Sequence, residues 1–306
     1  MKKFESAVII GFGSIGRRHY EILKNLNIFN KIFIFTKQKI SKKKNIIHEL
    51  NDLKKINPSY ILICNETSKH FKTLRFLTKN FKGKTIFIEK PLFERSYDLK
   101  NFKNNYIFVG YNFRYHPIIT YIKKVLLNKK ILTSQILCGS YLPYWRKNIS
   151  YNKSYSSDKK KGGGVLLDLS HEIDYVFWLY GKIKLCYSDY KKISNLNISS
   201  KDSTFIIGSN SKVKKIFISL DYFSLTAKRQ IYIESDNFSL HCDLIKNSII
   251  HKSKDKIKKI KFNKKTLDQT YVNQHKNILL DKKKIACTYQ EALNVIKFID
   301  KIKNEK

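Results

Sequence analysis

Ala7-Val8-Ile9-Ile10-Gly11-Phe12-Gly13-Ser14-Ile15-Gly16 is the stretch on which the fold turns. Four apolar residues run into G-x-G-x-x-G, and an amphipathic stretch from Ile15 to Leu26 follows. A buried strand, a tight turn and the opening of a helix explain that order. Gly11 permits the turn, Gly13 lets the backbone approach a pyrophosphate, and Gly16 allows close packing of helix on strand. Phe12, Ser14 and Ile15 fill the loop, and the open N–H groups at the helix start face the diphosphate. Alone, the pattern also fits an ordinary strand-to-helix turn, so its surroundings decide.

Apolar runs recur at Lys31 to Phe35, Tyr60 to Cys64, Thr85 to Ile88 and Tyr106 to Val109, several of them separated by helical patterns. Continuous apolar strands alternating with helices indicate a parallel sheet covered on both faces, joined by right-handed crossovers. Residues 1–114 are therefore predicted to form a Rossmann dinucleotide-binding domain. Beyond it the pattern changes. Helices are expected at His116 to Leu127 and from about Val165 to Leu179, with a long strand at Ile131 to Leu142 and a polar loop from Asn148 to Lys161. Strands then follow at Ser203 to Ile207, Lys214 to Tyr222, Gln230 to Glu234 and Phe238 to Leu244, with no helix between them. Two helical patterns, Leu267 to Leu280 and Gln290 to Ile302, close the chain. The expectation for residues 115–306 is an α+β domain, serving substrate binding and oligomerisation, on a largely antiparallel open sheet. The whole is α/β.

The 306 residues suffice for two cores, and no apolar run reaches the roughly 20 residues that span a bilayer. The lysine pair at the start leads into a glycine turn where a signal peptide would have its cleavage site, so it reads as the first strand. Cys64, Cys138, Cys186, Cys242 and Cys287 are scattered, without a C-x-x-C pair, which fits a reducing cytoplasmic setting. Lysine and arginine number 61 against 24 acidic residues, a net charge of +37 that raises the question of nucleic acid. The lysines are dispersed, with short runs at Lys42 to Lys44, Lys159 to Lys161 and Lys282 to Lys284, and abundant isoleucine and asparagine accompany them. A solvated surface explains this better than a phosphate-binding face. Lys254 to Lys261, KDKIKKIK, fits an edge strand protected by lysines. Neither nucleic acid nor membrane is expected as a partner.

Three motifs carry the chemistry. After the second strand, Phe35-Thr36-Lys37 stands where an aspartate would take the ribose hydroxyls; a hydroxyl and a lysine suit a 2′-phosphate and tilt the cofactor to NADP over NAD. Glu89-Lys90-Pro91 follows the fourth strand, and carboxyl ends of parallel strands face the ligand, which aims Lys90 into the cofactor cleft. Proline there fixes the turn and permits a cis bond. Gly162-Gly163-Gly164 then introduces VLLDLSHEIDY, where Asp168 and His171 stand three apart, hence on one face of a helix. A carboxylate near an imidazole can hold its tautomer and support acid/base work. No second histidine follows His171 by four, so a zinc helix is not indicated.

GFGSIGRRH at Gly11 to His19, ICNETSKH at Ile63 to His70, EKP at Glu89 to Pro91 and GGGVLLDLSHEIDY at Gly162 to Tyr175 occur in an order and spacing that resemble the glucose-fructose oxidoreductase/inositol dehydrogenase (Gfo/Idh/MocA) family. The likeness extends to the final TYQEALNVIKFIDKI. It implies a catalytic centre of Lys90, Asp168 and His171, with Asn65, His70 and Glu89 joining the glycine loop, Thr36, Lys37 and Lys90 in cofactor binding. Many members space the aspartate and histidine by four residues; the interval of three here rotates Asp168 by about 100° relative to His171. Arg114, Arg146 and Tyr155 are candidate substrate contacts. The likeness further implies association through the open sheet, as a homodimer or homotetramer. YWR, SYS and WLYG beside the glycine run resemble a subgroup associated with bacterial surface-polysaccharide sugars. The leading expectation is hydride transfer between a nicotinamide cofactor and a sugar or nucleotide-sugar. A lyase, hydrolase or epimerase using tightly bound NAD transiently would use the same residues, and a non-catalytic dinucleotide sensor would dispense with Lys90 and His171.

Overall fold

The computed structural model describes residues 3–38, 45–100, 102–146, 150–263, 266–280 and 285–305. The lysine runs at 42–44 and 282–284, and the start of the loop expected from Asn148, lie outside these. The chain divides into two compact units, Met1–Tyr111 with Tyr271–Ile296, and Asn112–Thr270 with Lys297–Lys306. The first unit thus takes back a segment that the sequence reading assigned to residues 115–306.

In chain order the first stretch gives β1 (Phe4–Ile10), α1 (Ser14–Leu26), β2 (Phe29–Phe35), β3 (Ile46–Ile47), α2 (Leu53–Ile56), β4 (Tyr60–Ile63), α3 (Thr67–Asn80), β5 (Thr85–Ile88) and β6 (Tyr106–Val109). The next gives α4 (Pro117–Val125), β7 (Ile131–Gly139), α5 (Val165–Asp168), α6 (Ser170–Tyr180), β8 (Lys184–Lys191), β9 (Ser203–Ser209), β10 (Val213–Asp221), β11 (Lys228–Glu234), β12 (Phe238–Asp243), β13 (Ser248–Ser253) and β14 (Lys256–Lys261). The chain ends with α7 (Thr266–Leu280), β15 (Cys287–Thr288) and α8 (Tyr289–Asn304).

The first unit's sheet runs β15-β6-β5-β4-β1-β2-β3. Its β1 to β6 pair in parallel, while β15 adds antiparallel to β6. Strand order reverses at β1, which has β2 on one side and β4 on the other, so the glycine turn after β1 sits at the switch point where such sheets bind ligands. All four residues of β4 are fully buried, as strands covered on both faces must be.

The second unit's sheet runs β14-β13-β12-β11-β7-β10-β9-β8. Among the described residues only β10 with β7 is parallel, so the sheet is largely antiparallel as expected. KDKIKKIK becomes β14, the outermost strand, where lysines keep an exposed edge from pairing with other chains. The expected strand to Leu142 stops at Gly139, because Pro143 lies in a short 3-10 turn, Leu142–Tyr144.

Candidate functional site

In the first unit the carboxyl ends of β1, β4 and β5 bring together Gly11, Asn65 and Glu89-Lys90. Gly11 has φ +95°, and a Cβ on it would lie 2.6 Å from the Asn65 amide nitrogen. A Cβ on Gly16 would lie 2.1 Å from the Gly11 carbonyl, so α1 can approach β1 only through glycine. Gly13 differs: nothing lies within 4 Å of its Cβ position. It caps α1 without a side-chain hydrogen bond, and no acidic residue occupies the first helical turn. The result is an open helix N-terminus over which an anion fits. Ser14 is exposed and Ile15 half-buried, whereas the Phe12 side chain is buried in the core against Tyr20. The backbone of Phe12 is what remains to face a cofactor.

Asn65 donates through Nδ2 to Thr73 Oγ1 at 3.0 Å, and its Oδ1 is buried without a hydrogen-bond partner among the described residues. A buried acceptor beside an open glycine turn suits a ligand that supplies a donor, so the residues present fit a dinucleotide. His70 lies deeper. It is 1% exposed, with Nδ1 3.0 Å from the Pro91 carbonyl and 3.2 Å from that of Leu92, and Nε2 3.0 Å from that of Asn65. Burial lowers its pKa while these carbonyls oppose the shift. Its contacts tie the Asn65 loop to the Lys90 turn, a buttress behind the cradle. The Lys90–Pro91 peptide is cis, and Lys90 is half-buried. Glu89 turns inward to His19 at 2.8 Å. Thr36 is buried, and its Oγ1 accepts the Gln38 amide at 3.1 Å, so of the pair expected to meet a 2′-phosphate only Lys37 is exposed.

The second unit holds His171 and Asp168, but not on one helix. Asp168 ends α5, Leu169 leaves the helical region at φ −98° and ψ 27°, and His171 lies in the first turn of α6. Helical spacing therefore does not relate these two side chains. Tyr222, just beyond β10, donates to Asp168 Oδ2 at 2.6 Å, which anchors the carboxylate to the sheet. Burial raises the Tyr222 pKa well above the usual tyrosine value, and Asp168 adds to the rise. His171 is 7% exposed, its ring centroid 4.8 Å from that of Phe113. Close packing and backbone conformation explain the glycine run: a Cβ on Gly163 would lie 2.3 Å from the Tyr155 carbonyl, and Gly164 has φ +121°.

The three candidate substrate contacts differ. Arg114 is 2% exposed and grips Asp174 through two nitrogens, Nη2 at 2.7 Å and Nε at 3.0 Å, a bidentate buried pair that builds the fold. Tyr155 donates to the Gly162 carbonyl at 2.6 Å and so holds the glycine run. Arg146 alone is exposed, at a small cleft with Trp145, Tyr151 and Ser154. Sequence reasoning missed His275, Tyr60 and Tyr222, which reach the site residues only through the fold; His19 was visible as the last letter of GFGSIGRRH.

Comparison with known proteins agrees with the fold. Residues 6–106 match the family model GFO_IDH_MocA, described as an oxidoreductase family with an NAD-binding Rossmann fold. Over 155 residues, 47% of this chain, the sequence is 24% identical to an uncharacterised oxidoreductase of Synechocystis sp.; the aligned stretch spans 41% of that relative's length. Similar solved structures include GenD2 from gentamicin A biosynthesis in complex with NAD, at TM-score 0.80 and 13% identity, covering 98% of this chain and 93% of that one. The WlbA dehydrogenase from Bordetella pertussis, in complex with NADH and UDP-GlcNAcA, gives 0.79 at 14% identity, covering 99% and 96%. UDP-N-acetylglucosamine 3-dehydrogenase GnnA from Acidithiobacillus ferrooxidans gives 0.74 at 14% identity, covering 99% and 97%. At such identities the structures speak for the fold. The family model thus matches residues 6–106, within the first unit, and the similar solved structures share the fold of the whole chain.

Proposed function

We propose that this oxidoreductase transfers hydride between NADP or NAD and a hydroxyl-bearing carbon of a sugar or nucleotide-sugar, of the kind used in bacterial surface polysaccharides. The observation that carries the reading is the open Gly13 helix terminus at the carboxyl end of β1, with the Lys90 turn at the carboxyl end of β5 in the same sheet. Similar proteins crystallised with NADH and UDP-GlcNAcA, or named for UDP-N-acetylglucosamine, support the substrate class.

In this reading the α1 terminus holds the diphosphate, Asn65 Oδ1 accepts from the cofactor, and exposed Lys37 favours NADP. The nicotinamide, when bound, exchanges hydride with the substrate carbon. Lys90 steadies negative charge on the substrate oxygen, and His171 takes up or returns its proton. Asp168, fixed by Tyr222, binds a neighbouring sugar hydroxyl or orients His171. Arg146 is the remaining candidate for an anionic substituent. Five free cysteines accord with a cytoplasmic enzyme, and the wide second sheet with a homodimer or homotetramer.

Mass spectrometry of small molecules released from the purified protein tests the reading. NAD(P)(H) together with a sugar or nucleotide-sugar is the expected result. Cofactor that exchanges with solution in each cycle supports net oxidoreduction, whereas cofactor returned to its starting state within each cycle points to a lyase, hydrolase or epimerase.

A further inference from the structure

Behind the Lys90 turn runs a buried chain of four polar side chains drawn from four elements of the first unit. Glu89, after β5, lies 2.8 Å through Oε1 from Nε2 of His19 on α1. His19 Nδ1 lies 2.8 Å from Nε2 of His275 on α7, and His275 Nδ1 lies 2.9 Å from the hydroxyl of Tyr60, which opens β4. His19, His275 and Tyr60 have no exposed surface, and Glu89 is 8% exposed. Phe87 packs on both imidazoles and Tyr271 on His19, so neither ring is free to turn.

With His19 neutral, hydrogen-bond chemistry gives this chain one direction. An ionised carboxylate only accepts, so His19 must donate from Nε2. A neutral His19 then accepts at Nδ1, which requires His275 to donate from Nε2 and accept at Nδ1 from the Tyr60 hydroxyl. Burial and the neighbouring His19 hold the His275 pKa well below that of a free imidazole, in keeping with a neutral ring. The other oxygen of Glu89, Oε2, accepts the backbone N–H of Lys90 at 3.2 Å. Glu89 also faces Cys64, whose thiol pKa is raised by burial and by this carboxylate, and His70. His19 Nε2 holds Oε1 of Glu89 and the Lys90 N–H donates to Oε2, so the oriented histidine fixes which oxygen is left for Lys90.

We propose that His19, backed by His275 and Tyr60, is a positioning residue for Lys90, holding the Glu89 carboxylate in the orientation that grips the Lys90 amide. Because His19 belongs to the helix that Gly13 caps, it ties the diphosphate cradle to the lysine turn. The catalytic consequence rests on Lys90 being the reacting lysine; the positioning itself does not.

Two measurements on the full chain test this. Nitrogen-15 NMR of histidine-labelled protein should find both His19 and His275 neutral, with the proton on Nε2; a proton on Nδ1 of either overturns the proposal. Amide hydrogen exchange at Lys90 should accelerate about tenfold or more in His19→Leu, the scale of one charge-assisted hydrogen bond, and return to within about twofold of wild type in His19→Gln, whose amide restores a donor. Unchanged exchange in folded His19→Leu, or no rescue by glutamine, overturns it, since a merely space-filling histidine would not distinguish the two. If exchange responds as expected while Lys90→Met turns over normally, the positioning stands and the catalytic assignment of Lys90 falls.

Discussion

Gly13 and Gly16 are three residues apart, yet a side chain at each should act in opposite ways. The space around Gly13 is open, so Gly13→Asp should leave the melting temperature nearly unchanged while setting a carboxylate against the diphosphate. Gly16→Ala drives a methyl into the Gly11 carbonyl and should destabilise by about 1–3 kcal/mol or more, read from urea unfolding. Equal loss of stability in both variants would contradict the cradle. Lys90→Met and His171→Asn should each fold, bind cofactor and lower turnover of the substrate by roughly 10²-fold. Because they are assigned to one proton and one developing charge, the double variant should lose much less than the product. Fully multiplying losses would show that the two residues act independently.

Helix α6 shows what a sequence pattern can and cannot reveal about an element. Every residue from Ser170 to Val176 is buried, so its polar members need partners. Glu172 meets Arg229 at 2.8 Å and Asp174 meets Arg114, across separations that no periodicity encodes. Asp174→Ala should cost about 3–5 kcal/mol by removing the carboxylate that the buried Arg114 guanidinium grips, whereas Arg146→Ala at the surface should change stability by less than about 0.5 kcal/mol. Thermal unfolding of both variants checks this; a neutral Asp174→Ala would mean the pair contributes little. Strands with continuous apolar runs were readable nearly to the residue: Thr85–Ile88 and Tyr106–Val109 have the expected ends. The break at Leu169 was not, because VLLDLSHEIDY keeps helical propensity throughout and the constraint comes from Tyr222, 54 positions after Asp168. Strands β8 and β13, KLCYSDYK and SIIHKS, lack a clean alternation and take their place from neighbours in the sheet. Among site residues, the glycine loop was legible because φ and close approach dictate residue type; the inward turn of Phe12, Thr36 and Arg114 depends on packing and was not.

At the scale of the molecule, the first unit is completed by Tyr271–Ile296, which supplies His275 and the strand β15. A fragment ending at residue 114 should therefore fail to fold cooperatively, and far-ultraviolet circular dichroism with a broad melt would show it; a sharp transition would contradict this division. Acid should also weaken the fold through His116, whose Nδ1 accepts the Ile118 amide at the start of α4. Burial, with Arg229 nearby and against a hydrogen bond to Asn247, lowers its pKa to about 4. The unfolded chain binds a proton near pH 6.5 that the folded chain refuses, so stability is full above that value and falls by about 1.4 kcal/mol per pH unit as pH drops toward 4. Urea titrations from about pH 7.5 to about pH 5 should show this loss, and His116→Asn should flatten it; an unaltered slope in the variant would assign the loss to other groups. Binding of a nicotinamide dinucleotide at the glycine turn after β1 is the central proposal. Calorimetric titration of NADH and NADPH into the cofactor-free wild type and Gly13→Asp tests it most directly. The prediction is one dinucleotide bound per chain, NADPH the tighter, and no binding to the folded variant; equal affinity in the two proteins, or no binding to either, would contradict it.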